Sequence, residues 1–365
     1  MLQSFLTDTS YLYLSHGVSA LSACMLLAVA LPLVKSDYWL FRALEYPRFQ
    51  KFMLSLFLLA LWLLVWEPFS PLKIAVVSGL LVAAIYQTYK IWPYTRLAKR
   101  EMLRARTTDV SGQVALLCFN VLQDNRAYSL ILEEIRRSDP DVIFLLETDH
   151  EWENAMRELE NAYSHTLKKA LDNTYGLLFY SRLPLEDAHI RFLADDDIPS
   201  VEAKIILPSG ARVQLWGLHP KPPAPKESLT TTAKDKELMK VALKAKESPL
   251  PVIVIGDLND VAWSYTTELF RKTSGLLDPR RGRGFYSTFS AKSRFMRFPL
   301  DYIFCSKHFG LVDMRRLSNY GSDHFAMFIR LQDCEVAEAC QEAPEADQDE
   351  KREARRMAAQ RIEEE

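Results

Sequence analysis

The chain has 365 residues, of which 48% are hydrophobic and 25% are charged, so it can bury one large core or two modest ones. Its 45 basic and 47 acidic side chains give a formal charge of −2, which excludes a global basic field. A polyanionic substrate would have to be attracted locally. The five cysteines have neither paired nor zinc-type spacing, which favours a reducing compartment.

Three apolar segments occupy the first 92 residues. Residues 11–34 contain no Asp, Glu, Lys or Arg and can cross about 30 Å of hydrocarbon. Residues 52–66 are shorter but rich in leucine, with Trp62 and Trp66 as interfacial anchors, and residues 72–92 form the third segment. One such segment alone could be a signal peptide or a core helix, whereas three in succession predict a three-span transmembrane region over residues 1–92.

The positive charges around these segments predict their orientation. No Lys or Arg precedes the first span, and the connection after the second has only Lys73. Basic residues cluster between the first two spans and after the third, namely Lys35, Arg42, Arg48, Lys51, Lys90, Arg96, Lys99, Arg100, Arg104 and Arg106. We therefore expect the N-terminus outside and everything after residue 93 in the cytoplasm. Without the short second span, half of this assignment would reverse.

The remaining chain divides into a linker, a domain and a tail. Residues 93–112 are predicted to be a basic juxtamembrane linker and residues 113–332 a soluble domain. Some of its strands are joined by hairpins and others by helices, which favours a mixed α/β (α+β) fold of two packed sheets flanked by helices. The tail, residues 333–365, has a net charge of −6 from residue 335 onward and is expected to be disordered or a solvated helix.

Residues 251–260, PVIVIGDLND, carry the clearest local signal in the domain. Val252 to Ile255 are typical of a strand that is buried on both faces, and Gly256 ends it. Asp257 and Asn259 follow at its exit, where a carboxylate and an amide suit a metal-bound phosphate. The alternative is a common Asp/Asn turn after a strand.

Polar residues recur at the ends of the other predicted strands. Each could be explained alone as a turn former, a helix cap or a structural histidine, but together they predict one rim of convergent strand ends. Hard oxygen ligands without a nearby cysteine favour Mg²⁺ or Mn²⁺ over zinc. The residues of this rim are Asn120, Glu147, His219, Asp257, Asn259, Asp301, Asp323 and His324.

Five short motifs in this order resemble those of the endonuclease/exonuclease/phosphatase superfamily. They are FNVL with Asn120, FLLE with Glu147, IGDLND with Asp257 and Asn259, LDYIF with Asp301, and GSDH with Asp323 and His324. The apolar N-terminus further resembles a bacterial membrane-attached branch, which places the chain in the inner (plasma) membrane. The resemblance implies a four-layer α/β/β/α sandwich that hydrolyses phosphate esters with a divalent metal.

The resemblance also implies a role for each rim residue. Glu147 and Asn120 would bind the metal, with Asp323 beside it. Asp257 would orient or deprotonate the attacking water, and Asn259 would hold a phosphate oxygen. His324, oriented by Asp301, would contact the phosphate, and His219 would contact it and help to protonate the leaving group. One departure is Leu146, since many relatives have Gln before the metal-binding Glu.

The substrate stays open at this stage. Residues 280–297 combine five arginines with aromatic residues, which predicts either stacking of nucleic-acid bases or a basic loop whose aromatics complete the core. The favoured function is a membrane-anchored phosphodiesterase of the nuclease type. The alternatives are a phospholipid or inositol-phosphate headgroup hydrolase, and a catalytically silent membrane adaptor. No obligate protein partner is evident.

Overall fold

The computed structural model describes residues 8–65, 70–105, 109–225 and 227–362. Trp66, predicted as an interfacial anchor, and Arg106, counted in the orientation, lie outside the described residues. The last three residues of the predicted tail, 363–365, do so as well.

Helices α1 (Asp8–Ala30), α3 (Arg48–Leu64) and α4 (Pro71–Ile91) form an N-terminal bundle, and the short α2 (Trp39–Ala43) lies in the α1–α3 connection. Their shared core includes Val18, Leu58 and Leu80, while many other apolar side chains point outward. The segments Thr9–Leu33 and Pro71–Tyr94 are long and apolar enough to cross a membrane. Helix α3, the predicted second span, has 17 residues and is shorter.

The first half of the domain contains α5 (Tyr128–Ser138), α6 (His150–Ala155) and five strands. The strands are β1 (Gln113–Asn120), β2 (Val142–Leu146), β3 (His165–Lys169), β4 (Leu177–Ser181) and β5 (Leu185–Phe192). The second half contains α7 (Thr232–Glu247), α8 (Tyr265–Ser274), α9 (Glu335–Cys340), α10 (Gln348–Ala359) and six strands. These strands are β6 (Pro199–Ile206), β7 (Arg212–Leu218), β8 (Val252–Asp257), β9 (Asp301–Cys305), β10 (Phe309–Arg316) and β11 (Met327–Asp333).

The strands form two sheets that pack face to face. One has the order β10-β11-β1-β2-β4-β3 and the other β5-β6-β7-β8-β9. Alternate residues explain the layers: Leu116 of β1 and Ile253 of β8 lie in the core between the sheets, whereas Leu117 packs towards α5 and Val254 towards α7 and α8. The predicted four-layer α/β/β/α sandwich is confirmed.

The parallel strand pairs position the polar rim. Strand β1 pairs with β2, and β7 pairs with β8, each in parallel at the centre of its sheet. Both pairs end at the same edge of the sandwich, and β9 begins there because Asp257 pairs with Asp301. Gly256 is required in β8, since a Cβ at its φ of +148° would lie 1.9 Å from the Leu218 carbonyl oxygen.

The segment predicted as a polar linker packs against the domain. The Tyr94 hydroxyl donates to the Ala262 carbonyl at 2.6 Å, and Glu101 pairs with Arg271 at 2.5 Å. Met102 is fully buried in the core between the sheets. Hydropathy alone did not predict this packing, because hydrogen bonds and ion pairs such as those of Tyr94 and Glu101 hold the segment against the domain.

The described part of the acidic tail is also packed. Asp347 caps α10, and Ala354 and Met357 lie against the core beside α7 and α8. Glu350 of this helix pairs with Lys272 of α8 at 2.6 Å. Helix α10 is therefore a packed helix rather than a solvated one, because Ala354 and Met357 are buried and Glu350 has a basic partner.

Candidate active site

Four predicted site residues stand at strand ends. Asn120 is the last residue of β1, and Asp257 is the last residue of β8. Asp301 is the first residue of β9. Glu147 directly follows β2, where a left-handed φ of 57° turns its side chain out of the strand. The fold thus brings residues from both sheets to one edge.

Asn120 connects the two sheets at this edge. Its amide nitrogen donates to Glu147 Oε1 at 2.7 Å and to Asp257 Oδ2 at 3.1 Å. Its amide oxygen accepts from the Leu122 N–H at 3.2 Å. An amide nitrogen only donates hydrogen bonds, so only the oxygen of Asn120 could ligate a cation. Asn120 therefore aligns two acids as well as being a candidate ligand.

His324 lies between two carboxylates. Its Nδ1 is 2.8 Å from Asp301 Oδ2, and its Nε2 is 3.5 Å from Asp257 Oδ2. The Ser322 hydroxyl accepts from the His324 N–H and donates to the Asn120 carbonyl, at 2.9 and 2.8 Å. The ring of Phe289 covers the imidazole at a centroid distance of 5.0 Å. The orientation of His324 is thus set from four sides.

The two acids decide the charge of His324. Burial alone would lower its pKa, but Asp301 and then Asp257 oppose this effect and raise the pKa of His324 to about 10. Burial raises the pKa of Asp257, while His324 lowers it. The arrangement therefore holds an imidazolium beside a desolvated carboxylate at neutral pH.

Burial shifts the pKa values of two further predicted site residues in opposite directions. It raises the pKa of Glu147 to about 7, against the hydrogen bond from Asn120, which lowers it. It lowers the pKa of His219 to about 4, against the attraction of Asp257. His219 follows β7, and its Nδ1 has no hydrogen-bond partner among the described residues. A neutral His219 suits contact with a phosphate oxygen better than transfer of a proton to the leaving group.

Asn259 lies in the loop after β8 with a left-handed φ of 48°. Its N–H donates to Asp257 Oδ1 at 2.9 Å, and its side-chain amide donates to the Pro220 carbonyl at 3.0 Å. The Tyr46 hydroxyl, from the α2–α3 connection, donates to the Asn259 carbonyl at 2.7 Å. The loop that carries the predicted phosphate ligand is thus tied to the N-terminal bundle.

The donor set fits a hard divalent cation. Asp257, Asp301 and His324 offer ligand atoms within 4.8 Å of one another, but the contacts of His324 with both acids already account for this closeness. Glu147 and Asp323 offer carboxylates outside that group, and Asp323 contributes to the raised pKa of Glu147. Asp323 Oδ1 is buried without a hydrogen-bond partner in the described part of the chain. Mg²⁺ or Mn²⁺ would bind such carboxylate oxygens as ligands.

The arginine-rich stretch has mainly a structural role. Arg280 is buried beside Asp278 at 2.7 Å, and its guanidinium lies 4.0 Å from the centroid of the Tyr302 ring. Arg281 contacts Glu101 and Glu268, and Arg283 donates to the Met102 carbonyl. These three arginines are therefore engaged within the protein, and only the exposed part around residue 295 is left to stack with bases.

Two site residues were not assigned from the sequence. Ser322 was visible in the GSDH motif, where a hydroxyl two residues before His324 could have indicated its N–H bond. Tyr46 gave no signal, since it stands 213 residues from its partner in a segment that is predicted to connect two spans. Leu146, which precedes Glu147, packs in the core between the sheets.

The fold resembles several solved structures. Humanized D. rerio TDP2 shares 16% identity with a TM-score of 0.50, over 61% of this chain and 100% of that one. The human Nocturnin catalytic domain shares 19% identity with a TM-score of 0.48, over 66% and 98%. A mannosyl-6-phosphatase from Bacteroides thetaiotaomicron shares 17% identity with a TM-score of 0.46, over 60% and 99%.

Sequence comparison gives the family. No curated protein sequence matches the chain. The family model for endonucleases, exonucleases and phosphatases matches residues 117–324, which include every predicted site residue from Asn120 to His324. This match covers more than half of the chain and begins and ends at the described site. The protein is a phosphoric ester hydrolase that belongs to the endonuclease/exonuclease/phosphatase family.

Proposed function

We propose that this protein is a membrane-anchored, divalent-metal-dependent phosphodiesterase. The observation that carries the proposal is the contact network in which Asn120 joins Glu147 to Asp257 while Asp257 and Asp301 flank His324. This network supports the proposal because it holds a carboxylate and a histidine beside candidate metal ligands. In-line attack on a diester phosphorus needs these three elements.

The residues divide the chemistry among them. Asp257 is the acceptor for a proton of the attacking water, because it is a buried carboxylate 3.5 Å from His324, the residue that contacts the phosphate. His324 donates to a phosphate oxygen and is kept charged by Asp301. Asn259 and His219 supply further contacts to the phosphate. Glu147, with Asp323 and the oxygen of Asn120, would hold Mg²⁺ or Mn²⁺, and when bound this cation supplies positive charge that stabilises the phosphorane-like transition state.

Membrane anchoring is supported by the bundle. Apolar side chains such as Leu12, Leu63 and Leu81 point outward from its three helices. The end formed by the C-terminus of α1, the N-terminus of α3 and the C-terminus of α4 faces the catalytic domain, and the basic clusters lie at this end. We propose three crossings of a bacterial inner membrane with the catalytic domain in the cytoplasm.

The proposal predicts metal-dependent turnover that Asp257 controls. The full chain in detergent should hydrolyse the soluble diester bis(p-nitrophenyl) phosphate with Mg²⁺ and lose this activity in EDTA. The Asp257→Asn variant removes the proton acceptor without changing its volume and should lower turnover about 100-fold or more. Circular dichroism checks that the variant is folded. EDTA-resistant turnover would contradict the metal dependence, and a variant as active as the wild type would remove Asp257 from the mechanism. A wild type without turnover in Mg²⁺ would leave the silent adaptor.

A further inference from the structure

Residues 288–299, which we call the rim hairpin, extend from the active site. Phe289 and Phe298 pair across it, and Phe289 also bridges to His324. The Ala291 N–H donates to the Asp323 carbonyl at 2.6 Å. The base of the hairpin is thus hydrogen-bonded to the residues that would contact the phosphate and the metal. A surface that binds the tip of the hairpin therefore lies close to the active site.

The tip of the rim hairpin is apolar and basic. Phe295 is 85% exposed and Met296 is 48% exposed. Lys292 and Arg294, beside them in the chain, are exposed as well. Phe295 and Met296 are adjacent, and neighbouring exposed apolar side chains that form a patch are typical of a contact surface. Exposed cations beside it are the combination that an anionic bilayer surface attracts.

The tip reaches the bundle. The Gln50 side chain, in the first turn of α3, donates to the Phe295 carbonyl at 2.7 Å. On the same turn and the next, Phe49 and Met53 are exposed at 43% and 49%. The apolar tip therefore continues the outward apolar surface of the bundle at the end that faces the catalytic domain. If α3 lies in a bilayer, the tip lies at that bilayer's surface.

We propose that the rim hairpin contacts the bilayer and that the active site hydrolyses the phosphodiester of a phospholipid headgroup; this inference rests on the proposed function. Water adds across one P–O bond, so that a phosphate monoester and an alcohol form, and the proton that the water loses is balanced by the one that the leaving oxygen gains. A nucleic acid is disfavoured because the inner arginines, Arg280, Arg281 and Arg283, are engaged within the protein.

The test uses the full chain reconstituted in vesicles of phosphatidylcholine with or without phosphatidylglycerol, with Mg²⁺. Wild-type protein should release water-soluble headgroup products. The double variant Phe295→Ser/Met296→Ser should lower lipid turnover about tenfold or more, since it removes two apolar contacts with the bilayer, and leave bis(p-nitrophenyl) phosphate turnover within about twofold. Lys292→Gln/Arg294→Gln should lower lipid turnover by about fivefold per cation, and only when phosphatidylglycerol is present.

A matched control is Leu130→Ser/Val336→Ser, which changes two apolar side chains exposed at 51% and 70% on α5 and α9. It should leave lipid turnover unchanged. Unchanged lipid turnover in the tip variants, or a wild type that cleaves an oligonucleotide and the soluble diester but no phospholipid, would overturn this inference and leave the proposed function intact. A wild type inactive on the soluble diester with Mg²⁺ would instead overturn the proposed function.

Discussion

At the scale of residues, the charge of each candidate catalytic side chain depends on its neighbours as well as on its residue type. Two histidines lie in the same buried site, yet Asp301 and Asp257 raise the pKa of His324 to about 10, while burial lowers that of His219 to about 4. The same side chain is therefore a cation in one position and neutral in the other. We therefore propose charge stabilisation for His324 and a neutral contact for His219.

The site residues were predictable from the sequence to the extent that they end strands. Asn120, Glu147, Asp257 and Asp301 each border an apolar run, so their convergence followed from the sheet order. The contacts of His324 were not predictable, because GSDH precedes β11 without showing which acids face the imidazole. Ser322 and Tyr46 act through the backbone of other residues, and the sequence pattern does not show such bonds.

Glu147→Gln should weaken metal binding. The substitution keeps the volume and the acceptor for the Asn120 amide but removes the charge that a divalent cation requires. We expect the Mg²⁺ concentration for half-maximal activity to rise about tenfold or more, with most of the turnover recovered at saturating metal. A metal titration of turnover on a soluble diester measures this shift. Glu158→Gln, at an exposed acid paired with Arg136, is the control, and an unshifted midpoint for Glu147→Gln would remove it from the metal site.

At the scale of elements, hydropathy located the central strands and missed the polar ones. β1, β2, β8 and β9 are almost entirely buried, and apolar runs mark them clearly. β3 and β5 lie at sheet edges, with half-buried or exposed residues throughout, and β10 is polar over its second half. No apolar run marks such strands, so only the pairing with a neighbour defines them.

Helix α7 carries a buried acid that makes stability depend on pH. The Ser200 hydroxyl donates to Glu237 Oε1 at 2.5 Å, and burial raises the pKa of Glu237 to about 7. A raised pKa means that the folded state holds the proton more tightly than the unfolded state. The stabilisation is therefore complete below the unfolded pKa and is lost as the pH rises through about 7.

Glu237→Gln should remove this dependence. The amide keeps the acceptor for Ser200 and cannot ionise, so the variant should be more stable than the wild type at pH 8, on the order of 2 kcal/mol, and no more stable at pH 4. Thermal unfolding of the full chain in detergent at both pH values measures the difference. Glu186→Gln, on the exposed strand β5, should show no such gain. Equal destabilisation of Glu237→Gln at both pH values would contradict the burial argument.

At the scale of the whole molecule, the N-terminal region and the catalytic loop form one structure. Among the residues that the structure describes, three hydrogen bonds cross between them, all involving residues 259–263, shortly after Asp257. The Tyr46 hydroxyl donates to the Asn259 carbonyl, the Trp263 indole to the Glu45 carbonyl, and the Tyr94 hydroxyl to the Ala262 carbonyl. The sequence predicted a linker between separate parts, since hydrogen bonds to backbone carbonyls leave no mark in hydropathy or charge.

Tyr46→Phe tests whether this connection serves catalysis. The change keeps the ring and its edge contact with Phe298 but removes the donor to the Asn259 carbonyl, so the loop that positions Asn259 beside Asp257 loses one constraint. One hydrogen bond of about 1 kcal/mol corresponds to a fall of about fivefold in kcat on a soluble diester, with the Mg²⁺ midpoint unchanged. Tyr89→Phe, at an exposed tyrosine of α4, is the matched control and should keep full activity. If Tyr46→Phe unfolds at a lower temperature but turns over at the wild-type rate, the contact only holds the bundle in place, and the catalytic loop works without it.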